Sequence, residues 1–169
     1  TNQKKFPIVL LATTVSSLTT PFMGSSVNVA LPAIAREFSM NAHGLSWVAS
    51  SFLLAAAITL VPIGRLADLY GRKIFFIAGS LIFAGSSFLS IWSGTETIFI
   101  LLRVVQGIGG AMIFSTGTAM LISAYPPNVR GRMLGINIAA VYIGLTCGPF
   151  LGGLLTQHLG WETIFAFNG

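Results

Sequence analysis

The chain has 169 residues, of which 54% are hydrophobic and only 8% are charged, and its mean hydropathy is +0.84. A water-soluble domain carries about 25% charged residues, so this chain has too few charges to cover itself in water. The net charge is +5, but the basic residues stand between apolar runs and are not interleaved with aromatic residues, which excludes a nucleic-acid interface.

Charged residues divide the chain into five long runs that carry no charge. A bilayer core of about 30 Å requires about 20 apolar residues in helical form, and each run reaches that length. The alternating segments of about ten residues that form a membrane barrel do not fit these continuous blocks. The runs cover residues 6–35, 38–64, 74–95, 104–129 and 133–161. We therefore expect an all-α transmembrane bundle with the lipid bilayer as its solvent.

The predicted helices cover residues 8–31, 45–63, 74–92, 98–122 and 133–155, and a sixth begins near Trp161. Because the sixth segment is too short to span, we expect either a natural chain that continues past Gly169 or an excised piece. The basic pair before the first run is typical of a signal peptide, but that run is longer than a cleaved apolar region, which favours a permanent helix. Trp47, Trp92 and Trp161 are predicted near helix ends at the interface, and Cys147, the single cysteine, is predicted to be packed and unreactive.

The basic residues predict the orientation of the bundle. With the N-terminus in the cytoplasm, seven of the nine basic residues lie on the inner side, one lies outside and one lies within a helix. The inner residues are Lys4, Lys5, Arg65, Arg72, Lys73, Arg130 and Arg132; Arg36 is outside and Arg103 is in the helix. The positive-inside rule therefore places the N-terminus in the cytoplasm.

Small and polar residues recur along one face of the first predicted helix. Thr13, Ser17, Thr20, Gly24 and Asn28 follow one another at spacings of four, three, four and four, which is a helical period. One interpretation is the wall of a cavity, because Asn28 is costly against lipid. The other is that serine and threonine bond back to their own helix. Gln106 of the fourth helix is a further candidate for lining the cavity.

The segment from Gly64 to Lys73 lies between the second and third predicted helices. Gly64 permits close helix approach, Gly71 permits a tight turn, and Asp68 can accept hydrogen bonds or face a helix N-terminus. Arg72 and Lys73 add positive charge on the inner side. The alternative is an ordinary basic loop.

Arg103 is the one charged residue inside a predicted helix. Its insertion costs about 2.5–3.5 kcal/mol, so such a residue usually faces a cavity or a partner. The alternative is that its side chain extends to the nearby interface.

In the fifth helix, Ala140, Gly144, Gly148 and Gly152 recur every four residues. Small residues at this spacing allow two helix backbones to approach closely. Pro149 removes a backbone hydrogen bond and permits bending.

These segments resemble signatures of the major facilitator superfamily, in the correct order along nearly the whole chain. Residues 64–73 resemble its cytoplasmic loop motif, residues 102–111 its fourth-helix motif, and residues 144–153 the fifth-helix motif of its antiporters. Residues 27–32 and 159–161 are similar to the fourteen-helix drug:proton antiporter branch. The resemblance implies a major-facilitator-type bundle with five complete helices and the start of a sixth. Residues 1–169 would form its N-terminal half, truncated in helix six, with a missing C-terminal half as partner. It also implies that Arg103 takes part in coupling.

The acidic residues depart from that pattern. Glu37, Asp68, Glu96 and Glu162 all fall outside the middle of the predicted membrane helices, whereas the antiporter branch carries an aspartate near residues 22–26. Residues 126–130 also lack the acidic group that would pair with Arg72. The sequence thus provides no buried counter-charge for a cation.

The resemblance implies a secondary active transporter of the plasma (inner) membrane, working by alternating access as proton-linked efflux of small drug-like or amphipathic compounds. One alternative is a facilitator or importer of a neutral or anionic solute, with Arg103 as the anion contact. Another is a non-transporting scaffold or receptor of the same fold. No serine, histidine and carboxylate set indicates an enzyme, and no spacing predicts a metal or cofactor site. The expected partners are the bilayer, a small-molecule substrate and protons.

Overall fold

A computed structural model of the chain describes residues 5–168, with side chains from residue 8 onward, so that Lys4 and the side chain of Lys5 lie outside the described part. The described residues form six helices joined by short connections. They are α1 (Lys5–Glu37), α2 (Ala42–Tyr70), α3 (Arg72–Ser90), α4 (Glu96–Ala124), α5 (Pro127–Leu159) and the short α6 (Glu162–Asn168). The first five are long and apolar enough to cross a membrane, which confirms the predicted bundle of five spans and the start of a sixth.

Most of the helices extend beyond the apolar runs that predicted them. The segment 64–70, predicted as a loop, forms the last turns of α2, and Gly71 alone separates α2 from α3. Gly71 adopts a φ of 109°, a conformation that glycine reaches without a steric penalty, and its N–H still donates to the Ala67 carbonyl. A charged residue such as Arg65 ends the apolar run of α2 but not the helix itself. The prediction of a loop over residues 64–70 was therefore wrong.

The first helix also runs past its predicted end at residue 31, so that Pro32 lies inside α1. Proline removes one backbone donor, but the helix continues to Glu37 and stops near Ser39, which has a positive φ of 50°. The next helix begins at a side-chain cap, since the Asn41 carboxamide oxygen accepts from the Gly44 N–H at 2.8 Å.

The helices pack in two groups. Helix α1 packs chiefly on α5, while α4 lies between α2 and α3, and fewer contacts join the two groups. An apolar cluster closes one end of the bundle, where Phe99 of α4 stacks with Phe38, Trp161 and Phe165 at ring distances of 5.4 to 5.5 Å. Trp161 is only 5% exposed, so it belongs to this cluster and not to an exposed interfacial ring.

Large apolar side chains cover the outside of the bundle. Ile58, Val61 and Leu81 are each more than 60% exposed, as expected when lipid is the solvent. Cys147 is exposed as well, contrary to the prediction of a packed thiol, because it lies off the buried face of α5.

Candidate functional site

A cavity of about 390 Å³ opens between α1, α2, α4 and α5; we call it the main cavity. Four of the residues predicted from sequence lie on its wall: Thr20, Gly24, Asn28 and Arg103. The remaining wall is largely apolar and includes Phe52, Leu53, Phe114, Val141 and Leu145. The main cavity therefore combines one cation and a few neutral polar groups with an apolar surface, as small-molecule sites generally do.

Arg103 is held at the α2–α4 contact. It is only 2% exposed, its Nε donates to the Val48 carbonyl at 3.1 Å, and its Nη1 donates to Gln106 Oε1. The guanidinium lies over the Phe52 ring at 4.6 Å from the ring centre, which is a cation–π distance. The side chain is thus fixed inside the bundle and does not extend to the interface.

Glycines bring α2 and α3 close enough to α4 for this arrangement. A Cβ on Gly107 would collide with the carbonyl oxygen of Phe52, and one on Gly109 would lie 2.9 Å from the carbonyl oxygen of Gly79. Gly107 lies one helical turn after Arg103 on α4. The close approach of α2 to α4 at Gly107 therefore also brings the Val48 carbonyl of α2 within hydrogen-bond distance of the Arg103 guanidinium.

Gln106 is fully buried behind Arg103 and is not one of the residues that line the main cavity. Its role in this geometry is to accept from Arg103, and its Nε2 has no hydrogen-bond partner among the described residues. Thr20 is buried at the main cavity and its Oγ1 likewise has no partner there.

The polar face of α1 serves two cavities. Thr20, Gly24 and Asn28 face the main cavity, whereas Thr13 and Ser17 line a smaller one of about 110 Å³, which we call the inner pocket. Thr13 also donates to the carbonyl of Val9 at 2.9 Å. All five residues therefore line a cavity, and Thr13 also bonds back to its own helix.

The turn between α2 and α3 is tied to the end of α4. Arg72 Nε lies 2.7 Å from Asp68 Oδ1, and its Nη1 donates to the Ala119 carbonyl at 3.1 Å and to Ser123 Oγ at 3.2 Å. The carbonyl end of a helix attracts a cation, so α4 provides the contact that residues 126–130 lack. Gly64 has ordinary packing space against Ser115, and Lys73 is exposed.

The small residues of α5 form the contact with α1. A Cβ on Gly144 would collide with the carbonyl oxygen of Leu18, and one on Gly148 would lie 2.9 Å from that of Phe22. Ser26 of α1 closes the contact, since its Oγ donates to the Gly148 carbonyl at 2.9 Å and lies 2.9 Å from a Cβ on Gly152. Pro149 follows Gly148 in α5 but is exposed, and the Leu145 carbonyl consequently loses its helical donor.

Charge is divided along the bundle. Asp68 lies at the end that carries Arg65, Arg72, Lys73, Arg130 and Arg132, and the other three carboxylates lie at the opposite end, in or beside helix termini. In the described part of the chain, Arg103 is the only charged residue on the wall of the main cavity. No group of acidic, histidine or cysteine side chains within residues 5–168 could hold a metal ion.

Sequence reasoning missed Phe52, Phe114 and Asn137. The phenylalanines carry no signal among so many apolar residues. Asn137 did have one, because it lies seven residues before Gly144, in phase with the small residues of α5. It is buried, it lines the inner pocket, and its Oδ1 has no partner among the described residues.

Comparisons with known proteins agree on one family. The family model described as Major Facilitator Superfamily matches residues 13–169. The chain is 33% identical over 161 residues to the riboflavin transporter RibZ of Clostridioides difficile, which covers 95% of this chain and 35% of that protein. It is 38% identical over 143 residues to the multidrug resistance protein Stp of Mycobacterium tuberculosis, covering 84% of this chain and 27% of Stp. It is 32% identical over 159 residues to the tetracenomycin C resistance and export protein of Streptomyces glaucescens, covering 94% and 30%.

The fold also matches solved structures. The proton:xylose symporter XylE superposes with a TM-score of 0.84 at 16% identity, over 99% of this chain and 42% of that one. The chain thus spans about a third of the length of the curated relatives it matches.

Proposed function

This chain belongs to the Major Facilitator Superfamily, whose members are membrane transporters and not enzymes, and we propose that it forms the N-terminal half of a proton-linked efflux transporter. Its substrates would be small drug-like or amphipathic compounds, moved across the plasma membrane by alternating access around a midplane site. The N-terminus would lie in the cytoplasm, and a C-terminal half would complete the site.

The observation that carries this proposal is the main cavity. Its wall is largely apolar, its neutral polar groups come from α1, and its single charge is the buried Arg103. In such a site the apolar wall buries most of the ligand and the few polar groups fix its orientation, which suits a small amphipathic compound. Two of the relatives are named for drug resistance, which agrees with such a site.

The charge of the cavity supports one class of compound over another. A permanent cation entering this half meets Arg103 and no carboxylate from the described residues, so like charges would oppose its binding. Neutral and anionic compounds meet no such opposition. We therefore expect the preferred substrates to be neutral or anionic amphipathic molecules.

The same observation supports a second candidate, a facilitator or importer of a neutral or anionic solute. Arg103 would then be the contact for the solute and not a coupling group. One relative is named a riboflavin transporter, which shows that the names within this group are not limited to drug resistance.

Transport by the full-length protein in proteoliposomes separates the candidates. Fluorescein and rhodamine 123 share a xanthene ring system but carry opposite charges, so they form a matched pair of probes. We expect an imposed pH gradient to drive uphill movement of fluorescein, and collapse of the gradient with nigericin to abolish it. Fluorescein movement that only follows its own concentration gradient would favour the facilitator, and a preference for rhodamine 123 would contradict the proposed charge selectivity.

A further inference from the structure

The main cavity and the inner pocket meet at two side chains. Phe114 of α4 and Val141 of α5 line both spaces. On α1 the boundary falls between Ser17, which lines the inner pocket, and Thr20, which lines the main cavity. On each of α1, α4 and α5, the boundary between residues that line the main cavity and residues that line the inner pocket thus lies at the same level of the bundle.

The two spaces differ in chemical character. The main cavity contains the charge of Arg103, whereas the inner pocket is lined by neutral residues and receives its polar groups from Thr13, Ser17, Thr118 and Asn137. At about 110 Å³ the inner pocket has room for several water molecules, each of which needs about 10–15 Å³. It is large enough for a polar substituent of a small molecule, though not for a whole drug-like compound.

Asn137 indicates what the inner pocket would hold. Only 7% of the residue is exposed, and its Oδ1 has no hydrogen-bond partner among the described residues. A buried acceptor without a partner requires an explanation, because such atoms are nearly always satisfied by protein or by ordered water. A hydroxyl, an amine or a water molecule in the inner pocket would donate to it.

We propose that Phe114 and Val141 form an apolar partition between the main cavity and a neutral hydrogen-bonding subsite at Asn137. This inference rests on the proposed function, since it concerns which compounds the main cavity accepts. With the partition in place, the size of the main cavity limits the compound. When the partition is reduced, longer compounds with a polar end reach the inner pocket, and Phe114 is therefore a specificity-determining residue.

The transport test compares Phe114→Ala with Phe88→Ala in the full-length protein. Phe88 is similarly exposed, at 49% against 43%, but lines none of the described cavities, so it controls for the loss of a phenylalanine. Resorufin and 6-hydroxy-9-[4-(hydroxymethyl)phenyl]xanthen-3-one are both planar three-ring monoanions, and the second adds a phenyl ring that ends in a hydroxyl donor. We expect Phe114→Ala to raise the rate of this longer dye relative to resorufin about tenfold, and Phe88→Ala to leave the ratio unchanged. Val141→Ala reduces the partition from the other side and is expected to shift the ratio in the same direction.

A second measurement does not depend on transport. Ser17→Cys places a reporter on the buried wall of the inner pocket, in a background where Cys147→Ser and the replacement of any cysteines elsewhere in the protein remove other thiols. In detergent solution, methyl methanethiosulfonate is expected to label this reporter about tenfold faster when Phe114→Ala is added. An unchanged labelling rate, or an unchanged dye ratio in a variant that still transports resorufin, overturns the partition. If wild-type protein transports neither dye, the proposed function loses its support, while the labelling rate still decides whether the partition exists.

Discussion

Arg103 is positioned by three neutral groups and by no carboxylate from the described chain. The Val48 carbonyl and the Gln106 carboxamide accept from its guanidinium, and Phe52 lies beneath it. These contacts use two of its five N–H donors and leave its charge uncompensated, which differs from a buried ion pair. The positive charge is therefore available to whatever enters the main cavity.

This arrangement predicts different results for two substitutions. Arg103→Lys retains the charge but loses the planar fork that reaches Val48 and Gln106 together, so we expect partial activity. Arg103→Ala is expected to insert normally, because removing an intramembrane charge lowers the insertion cost, and to lose gradient-driven transport. Flux in proteoliposomes with and without an imposed pH gradient measures both effects.

Arg132→Ala provides the control for that experiment, because Arg132 is an exposed arginine of α5 that lines none of the described cavities. It is expected to transport as the wild type does. Downhill flux that survives in Arg103→Ala without gradient dependence would support a coupling role. Full flux with full gradient dependence in that variant would rule the role out.

Arg103 could be predicted from the sequence because a charged residue within a predicted membrane helix is unusual whatever its neighbours are. The position of Gln106 could not be predicted in the same way, since it depends on where α2 crosses α4. Phe52 illustrates the same limit, because its contact with Arg103 joins residues 51 positions apart. In a single sequence, Phe52 looks like any other apolar residue of its helix.

At the level of elements, small residues decide which helices approach closely. The α5 glycines contact α1, and Gly107 and Gly109 bring α2 and α3 against α4. The repeat on α5 predicted a smooth face, and the structure shows α1 as the helix that packs on it. The identity of that partner required the fold, because a repeat on one helix does not specify what lies opposite.

Gly148→Leu tests the α1–α5 contact. Its side chain would meet the Phe22 carbonyl and Ser25, and overpacking of this kind typically costs about 1–3 kcal/mol. We expect the variant to insert but to show a lower melting temperature and impaired transport, as measured by thermal unfolding in detergent and by flux.

Gly135→Leu is the matched control, because it lies on the same helix and a Cβ there meets nothing within 4 Å. It is expected to keep wild-type stability and transport. A well-expressed Gly148→Leu variant that is as stable and active as the wild type would show that the α1–α5 contact is not needed in the transport cycle.

Hydropathy predicts which segments cross the membrane but not the residues at which their helices begin and end. Hydropathy identified the five spans because each must cross about 30 Å of hydrocarbon, but α2 and α5 have 29 and 33 residues. At about 1.5 Å per residue, both extend beyond that thickness at one or both ends. Their charged turns, including residues 65–70 and 130–132, belong to the helices although they lie outside the apolar runs.

In the whole molecule, the two packed groups of helices define the position of the cavities. The pair α1–α5 and the group α2–α3–α4 each pack closely, and both the main cavity and the inner pocket open between them. Polar residues of α1 and Arg103 line the same space, and among the described residues no hydrogen bond joins them. The main cavity therefore leaves room for a bound compound between the two groups.

Charge is also unequal at the two ends of the bundle. The end formed by the α2–α3 turn and the start of α5 carries Arg65, Arg72, Lys73, Arg130 and Arg132 with one carboxylate. The opposite end carries Arg36 with Glu37, Glu96 and Glu162. Because basic residues concentrate on the cytoplasmic side of membrane proteins, the first of these ends is predicted to face the cytoplasm.

Labelling of single cysteines in the full-length protein tests this orientation. With Cys147→Ser and no other cysteine, reporters at Lys73→Cys and Arg130→Cys are expected to react with a membrane-impermeant maleimide only in inside-out vesicles. A reporter at Glu96→Cys is expected to react only in right-side-out vesicles. Detergent-treated samples control for reactivity, since every reporter must label once both sides are accessible.

Lys73 and Arg130 belong to different helices but to the same end of the bundle, so their agreement tests the fold as well as the direction. The reverse pattern would place the basic end outside and overturn the orientation, whereas disagreement between Lys73→Cys and Arg130→Cys would contradict the arrangement of the helices itself.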